Sequence, residues 1–292
     1  MNNIKNIFIS PTETRLRAGW RILIQSTILG ILLICFLSPF VLNLDLFFTG
    51  EGLLLSQVAE FFAVGISVIL ARRFLDKKSF SSLGLKLNRF AISDLGAGLG
   101  IALVMVGLIF LIEHSMGWLT FTGFAWEYDS ITRVISQTML YFAGFILVGI
   151  NEELLIRGYQ LQNIASASNL SWGVFVSSII FSVLHFTNPH ANWLSAIGIT
   201  LAGIFLALGY IRTKQLWLSI GLHIGWNFFE GVVFGFPVSG SETYNLIIPS
   251  VNGPELWTGG LFGPEAGLVL VPALLFGSVL ILIYTKKRGG WL

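Results

Sequence analysis

Long apolar runs separated by short polar stretches set the pattern of this chain. Runs near Ile22–Leu42, Leu53–Phe74, Leu95–Ile112, Val134–Ile156, Trp172–Phe186, Trp193–Ile211, Leu216–Phe229 and Leu268–Tyr284 each predict a helix. A bilayer crossing needs roughly 20 apolar residues at 1.5 Å each, so the fifth and seventh runs are short for the task. Those two runs also carry polar interruptions. The stretch 234–267 is rich in Gly and Pro and predicts a long loop on the outer side, able to dip back into the membrane. No internal repeat breaks the chain into halves, and residues 1–292 read as one membrane domain with a polar motif core over 134–230.

Composition agrees with the pattern. Of 292 residues, 54% are hydrophobic and 11% charged, whereas soluble domains carry about a quarter charged residues. Mean hydropathy is +0.80. Too few polar residues exist to coat so much apolar surface, and lipid removes the need for a coat. The expected fold class is therefore all-α: a polytopic bundle of about eight transmembrane helices. The net charge of +2 is too small to suggest nucleic acid as a partner. The N-terminal 20 residues hold Lys5, Glu13, Arg15 and Arg17 without a continuous apolar centre, which argues against a cleavable signal peptide. Cys35, the single cysteine, lies in an apolar run and is expected to be a small buried apolar residue.

The placement of charge tests the span count. Lys5, Arg15, Arg17 and Arg21 precede the first run. Arg72, Arg73, Lys77, Lys78, Lys86 and Arg89 follow the second, Arg212 and Lys214 the sixth, and Lys286, Lys287 and Arg288 the eighth. Basic residues favour the cytoplasmic side. Eight crossings with both termini cytoplasmic put all these clusters together, and seven would strand one of them. Trp20, Trp118, Trp126, Trp172, Trp193 and Trp257 fall near run ends, where interfacial rings are favoured. Gly221 and Gly225 form a GxxxG spacing that permits close helix packing.

Three polar groups interrupt the apolar runs, and an ionisable residue in lipid costs roughly 2.5–3.5 kcal/mol or more. The first is Asn151-Glu152-Glu153-Leu154-Leu155-Ile156-Arg157. Glu153 and Arg157 are four apart on one helix face, with the acid N-terminal to the base, and are expected to pair. Glu152 points about 100° away and lacks that partner. An unpaired carboxylate in an apolar setting is what general acid–base chemistry near neutral pH uses. The second group is Phe181 to His185. The third is His223 and Asn227, also on one face, which can both donate toward a common point as an oxyanion hole requires. Glu152, His185 and His223 would alternatively serve as zinc ligands, although no HExxH signature is present.

A polar stretch at 166–171 predicts a turn. With 168 as its centre, Glu152 lies 16 residues before it and His185 17 after it. Equal distances along two arms of a helical hairpin give equal depth. His223 lies about a third to a half of the way in from Lys214 and can reach the same level. Taken singly, each group has a bland reading: a structural ion pair, an interface histidine, interhelical hydrogen bonding. Their convergence at one depth argues for a site.

The order and spacing of these residues resemble the CPBP family, which includes type II (Rce1-like) CAAX prenyl proteases and bacteriocin-processing and immunity-type membrane proteins. The family pattern EExxxR, FxxxH and HxxxN is complete here in Glu152-Glu153 to Arg157, Phe181 to His185, and His223 to Asn227. The resemblance implies an intramembrane endopeptidase acting on a hydrophobic peptide or membrane-protein substrate. By that analogy Glu152 activates water with help from His185, and His223 and Asn227 stabilise the oxyanion. Glu153 shares the work or, with Arg157 and Phe181, holds the motif in place. No cofactor is needed to account for these residues, and zinc on Glu152, His185 and His223 stays open. A non-catalytic immunity or scaffolding factor is the main alternative, with a proton-coupled transporter behind it. Partners are then the lipid bilayer and the substrate, in a bacterial plasma membrane by family habit.

Overall fold

The computed structural model describes residues 6–10, 13, 15–38 and 49–287. A helix stands at each of the eight expected positions. They are α1 (Ala18–Leu37), α2 (Gly50–Leu75), α3 (Ala91–Ser115), α4 (Ile131–Ala167), α5 (Leu170–His185), α6 (Trp193–Thr213), α7 (Trp217–Asn227, continued by a π-turn segment Phe228–Val233) and α8 (Leu270–Lys287). The last residues of the first predicted run, 39–42, lie outside the described residues, as do Lys5 and Arg288. Six of the eight helices are long and apolar enough to cross a membrane, and α5 and α7 are the short ones. The protein is a polytopic helical membrane bundle.

Local chemistry sets where these helices begin. The Thr49 hydroxyl accepts from the Gly52 amide, Ser130 from Arg133, and Asn169 from Trp172. Asn192 accepts from Leu194 and Ser195, and Ser195 returns a bond to the Asn192 amide, a complete capping box. Each side chain satisfies an amide that the first helical turn leaves without a partner. The turn between α4 and α5 falls at Ser168–Asn169, where the polar stretch predicts it.

The tightest helix contact is between α3 and α7. A side chain at Gly221 would strike the Leu95 carbonyl, so the two backbones meet directly. Gly98 faces the same crossing, whereas Gly96 and Gly100 face open space. The GxxxG pair is thus a packing device. A buried apolar cluster around Met105, Ile109, Leu218, Leu222 and Ala273 joins α3, α7 and α8.

The basic clusters gather at one end of the bundle. Arg15, Arg21 and Arg72 meet at Asp76, and the Lys86 amide donates to Gln215 at the α6–α7 turn. At the opposite end the loop 234–267 is ordered. Its strand β2 (Ile247–Val251) pairs antiparallel with β1 (Leu119–Phe124), from Leu119↔Val251 to Phe124↔Ile247. Cys35 departs from expectation. It is exposed on the outside of α1, where lipid supplies the apolar contact that a protein core would otherwise give.

Candidate active site

The structure brings all seven sequence-predicted site residues to one region. Glu152 and Glu153 close the regular part of α4, and the helix then widens into π turns over Leu154–Gln160 before resuming at Leu161. Segments of π helix are uncommon and recur at functional sites, because they redirect side chains within a continuous helix. The π segment carries Arg157. A second π segment begins directly after Asn227 on α7. Neither is visible as a break in hydrophobic periodicity.

Glu153 is fully buried and bridges two helices. Its Oε1 accepts from Arg157 Nη1 at 2.6 Å and from His223 Nδ1 at 2.9 Å. The first contact is the expected i, i+4 pair. The second, between residues 70 apart in the chain, shows that the pair also holds the imidazole. Arg157 in turn donates from Nη2 to the Gly203 carbonyl on α6 at 3.0 Å, and its guanidinium lies 4.5 Å from the Phe181 ring centroid. Phe181 is buried. Its ring also meets His185 at 4.5 Å and His223 at 6.0 Å between centroids. Asn151 fixes α4 to α2 through bonds to the Gln57 carbonyl and side chain at 3.2 and 3.1 Å.

Both imidazoles are held by their Nδ1 atoms. His185 Nδ1 lies 2.8 Å from the Phe181 carbonyl oxygen. A carbonyl only accepts, so Nδ1 carries the proton there. His223 Nδ1 faces the Glu153 carboxylate, which already accepts from Arg157, so it too is the protonated nitrogen. In the neutral rings, Nε2 is therefore the bare nitrogen. Both Nε2 atoms face Glu152 Oε2, His223 at 3.6 Å and His185 at 3.8 Å. These separations exceed a direct hydrogen bond, and Glu152 Oε2 meets no hydrogen-bond partner among the described residues. Neutral His223 offers its free nitrogen as an acceptor, and it donates toward an oxyanion only after Nε2 gains a proton.

Glu152, Phe181, His185, His223 and Asn227 line one cavity of about 730 Å³. The rest of its wall is mostly apolar, with Leu53, Met105, Tyr141, Phe145 and Phe205 prominent. That size and lining suit a ligand of several apolar side chains. The loop 234–267 supplies one side of the cavity through 238–243 and Glu265. Glu265 Oε2 accepts from both the amide and the hydroxyl of Ser239 at 2.6 Å. A side chain at Gly198 would strike the Glu265 carbonyl, so the loop lies directly on α6. Sequence reasoning assigns this loop no role. Its pattern of Gly-Pro turns marks an ordered segment without revealing what it packs on.

Imidazoles anchored through Nδ1 are also what a metal site uses. Among the described residues, however, no group of three or more His, Cys, Asp or Glu side chains is arranged to hold a metal ion.

Two comparisons find known sequences similar to this chain. Residues 134–229 match the family model for the type II CAAX prenyl endopeptidase, Rce1-like. The chain is 29% identical over 227 residues to a Bacillus subtilis (strain 168) protein named "Putative membrane peptidase YdiL", a match that spans 73% of this chain and 85% of that protein. Both findings agree with the resemblance carried by the motifs and support a CPBP-family membrane protease.

Proposed function

We propose that this protein is an intramembrane endopeptidase in which Glu152 activates water for attack on a peptide bond of a hydrophobic peptide or membrane-protein substrate. One observation carries the reading: a carboxylate and two imidazole nitrogens, all acceptors, face one point in an apolar cavity. Three acceptors around one point call for a hydrogen donor or a cation, and water is the donor that peptide hydrolysis consumes.

The water gives one proton to Glu152 as its oxygen attacks the scissile carbonyl. The Asn227 amide is the neutral donor for the tetrahedral oxyanion. The proton on Glu152 then reaches the leaving nitrogen, directly or through an adjacent Nε2. A proton on His223 Nε2 turns that atom into a second oxyanion donor, and the Glu153 carboxylate at Nδ1 balances the imidazolium charge. Arg157 and Phe181 hold Glu153 and the rings in place. In this reading the eight helices cross a bacterial plasma membrane with the basic end cytoplasmic.

The test is cleavage of a membrane-peptide library by purified protein, wild type beside Glu152→Gln, each with and without a zinc chelator. Loss of a positioned general base costs about 10²–10⁴-fold in rate. Cleavage by wild type that resists chelation and is lost in Glu152→Gln supports the carboxylate mechanism. Wild-type cleavage abolished by chelator and restored by zinc replaces it with a metal mechanism on Glu152, His185 and His223. A folded Glu152→Gln that cleaves as well as wild type overturns the proposal.

A further inference from the structure

The basic end of the bundle holds a second pocket, of about 330 Å³, away from the catalytic cavity. It lies between the start of α1 and the ends of α2, α4 and α6. Arg15, Arg21, Arg72, Lys78 and Lys214 line it, with Tyr210 on one wall. Among the described residues, two carboxylates pair with these five cations. Asp76 takes Arg21 at 2.9 Å and Arg72 at 2.8 Å, and Glu13 takes Arg15 at 2.6 Å and Arg21 at 3.0 Å. Lys78 and Lys214 make no ion pair among the described residues. The pocket therefore carries surplus positive charge.

Two further observations point to an absent anion. Arg21 is 1% exposed, yet its Nε–H meets no acceptor among the described residues. A buried donor left without a partner is costly. Burial, and then the Arg15 and Arg72 guanidiniums, push the Lys78 ammonium below its usual pKa. An anion in the pocket would offset the positive charge crowded around Lys78. The surroundings say what kind of anion. The pocket lies at the ends of helices long and apolar enough to cross a membrane, α1, α2, α4 and α6. A ligand with a charged head and apolar tails fits this junction. Basic pockets between helices at a membrane face are suited to such headgroups.

We propose that this pocket binds the phosphate of an anionic phospholipid headgroup. Arg15, Arg21 and Arg72 form a floor pre-organised on Asp76, and Lys78 and Lys214 close over the phosphate from solvent.

The test uses full-length protein in a neutral detergent, with thermal unfolding followed as phosphatidylglycerol, phosphatidylcholine or inorganic phosphate is titrated in. Saturable stabilisation is expected with phosphatidylglycerol and not with phosphatidylcholine. Each basic residue near a charged lipid surface is worth about fivefold in affinity, so Lys78→Gln weakens binding about fivefold and Lys78→Gln/Lys214→Gln about thirtyfold. Neither lysine is ion-paired, so the lipid-free unfolding temperature stays at the wild-type value and separates lost binding from lost folding. Equal response to both lipids overturns the proposal, as does wild-type affinity in the double variant. Inorganic phosphate that binds as tightly as the lipid keeps the anion site but removes the lipid from it.

Discussion

The buried charges around Asp76 and around Glu152 are built on opposite principles. Around Asp76, three arginines converge on one carboxylate, and Asn163 adds a bond at 3.3 Å. Each of these guanidiniums meets the Asp76 carboxylate. Around Glu152, a carboxylate faces two bare imidazole nitrogens, and none of the three can donate to another while the rings are neutral. The first cluster is paired at its centre within the folded chain, and its uncompensated charge lies at the rim. The second becomes complementary only when something with protons or positive charge enters. A network that satisfies itself serves the fold, and one that waits for a ligand serves chemistry.

Removing the central carboxylate of each cluster sharpens this contrast most. Asp76→Ala leaves buried guanidiniums without their shared partner, and breaking a buried ion pair costs about 3–5 kcal/mol. Glu152→Ala removes an acceptor that faces other acceptors, and its stability change is expected within about 1 kcal/mol, or favourable, as active-site groups often trade stability for function. Denaturant unfolding in detergent measures both. Equal destabilisation by the two variants would mean that Glu152 is structural and would erase the distinction.

Arg157 belongs to both kinds of cluster, since it satisfies Glu153 and, through it, orients His223. Arg157→Lys keeps the charge but loses the planar fork. It gives up the bond to the Gly203 carbonyl and the stacking on Phe181. The expected loss is about 1–2 kcal/mol of stability, the scale of one charged hydrogen bond. Turnover should fall further than this, because a tilted imidazole leaves the reacting geometry. Activity that tracks the folded fraction alone would make Arg157 a support of the helix and nothing more.

Much of this was legible in the sequence. The eight apolar runs are eight helices because period and length are local properties. The meeting of Glu152 with His185 followed from counting residues on both arms of the α4–α5 hairpin, since rise per residue is fixed. The i, i+4 pair Glu153–Arg157 was legible for the same reason. What escaped was non-local. The Glu153–His223 bond depends on how α4 and α7 cross, and that crossing is set by Gly149 against Ile220 and Ile224. The loop at Glu265 reaches the cavity only because Gly198 lets it lie on α6. The arginines near the N-terminus signalled a membrane face, whereas their convergence on Asp76 required three separate helix ends to meet. The π segments left no mark in the periodicity at all. Cys35 was misread because burial was assumed to mean burial by protein.

The smallest expected effect lies at the rim of the Asp76 cluster. Glu13 bonds to Arg15 and Arg21 and is a quarter exposed. The hydrogen bond from Arg15, followed by the Arg21 charge, holds the Glu13 carboxyl below the usual carboxylate range despite partial burial. A depressed folded-state pKa means that the ionised form is favoured by folding. Its contribution is therefore complete above the unfolded value and fades as pH falls through the folded one. For an exposed pair that contribution is about 0–1 kcal/mol. Glu13→Gln should lower stability by no more than this at neutral pH, and the difference from wild type should close under acid. Salt should close it as well, since exposed pairs are screened. The Asp76 contacts, buried, should keep their effect in the same salt. If salt weakens the two alike, water reaches Asp76, and the self-satisfied cluster is not sealed as the fold implies.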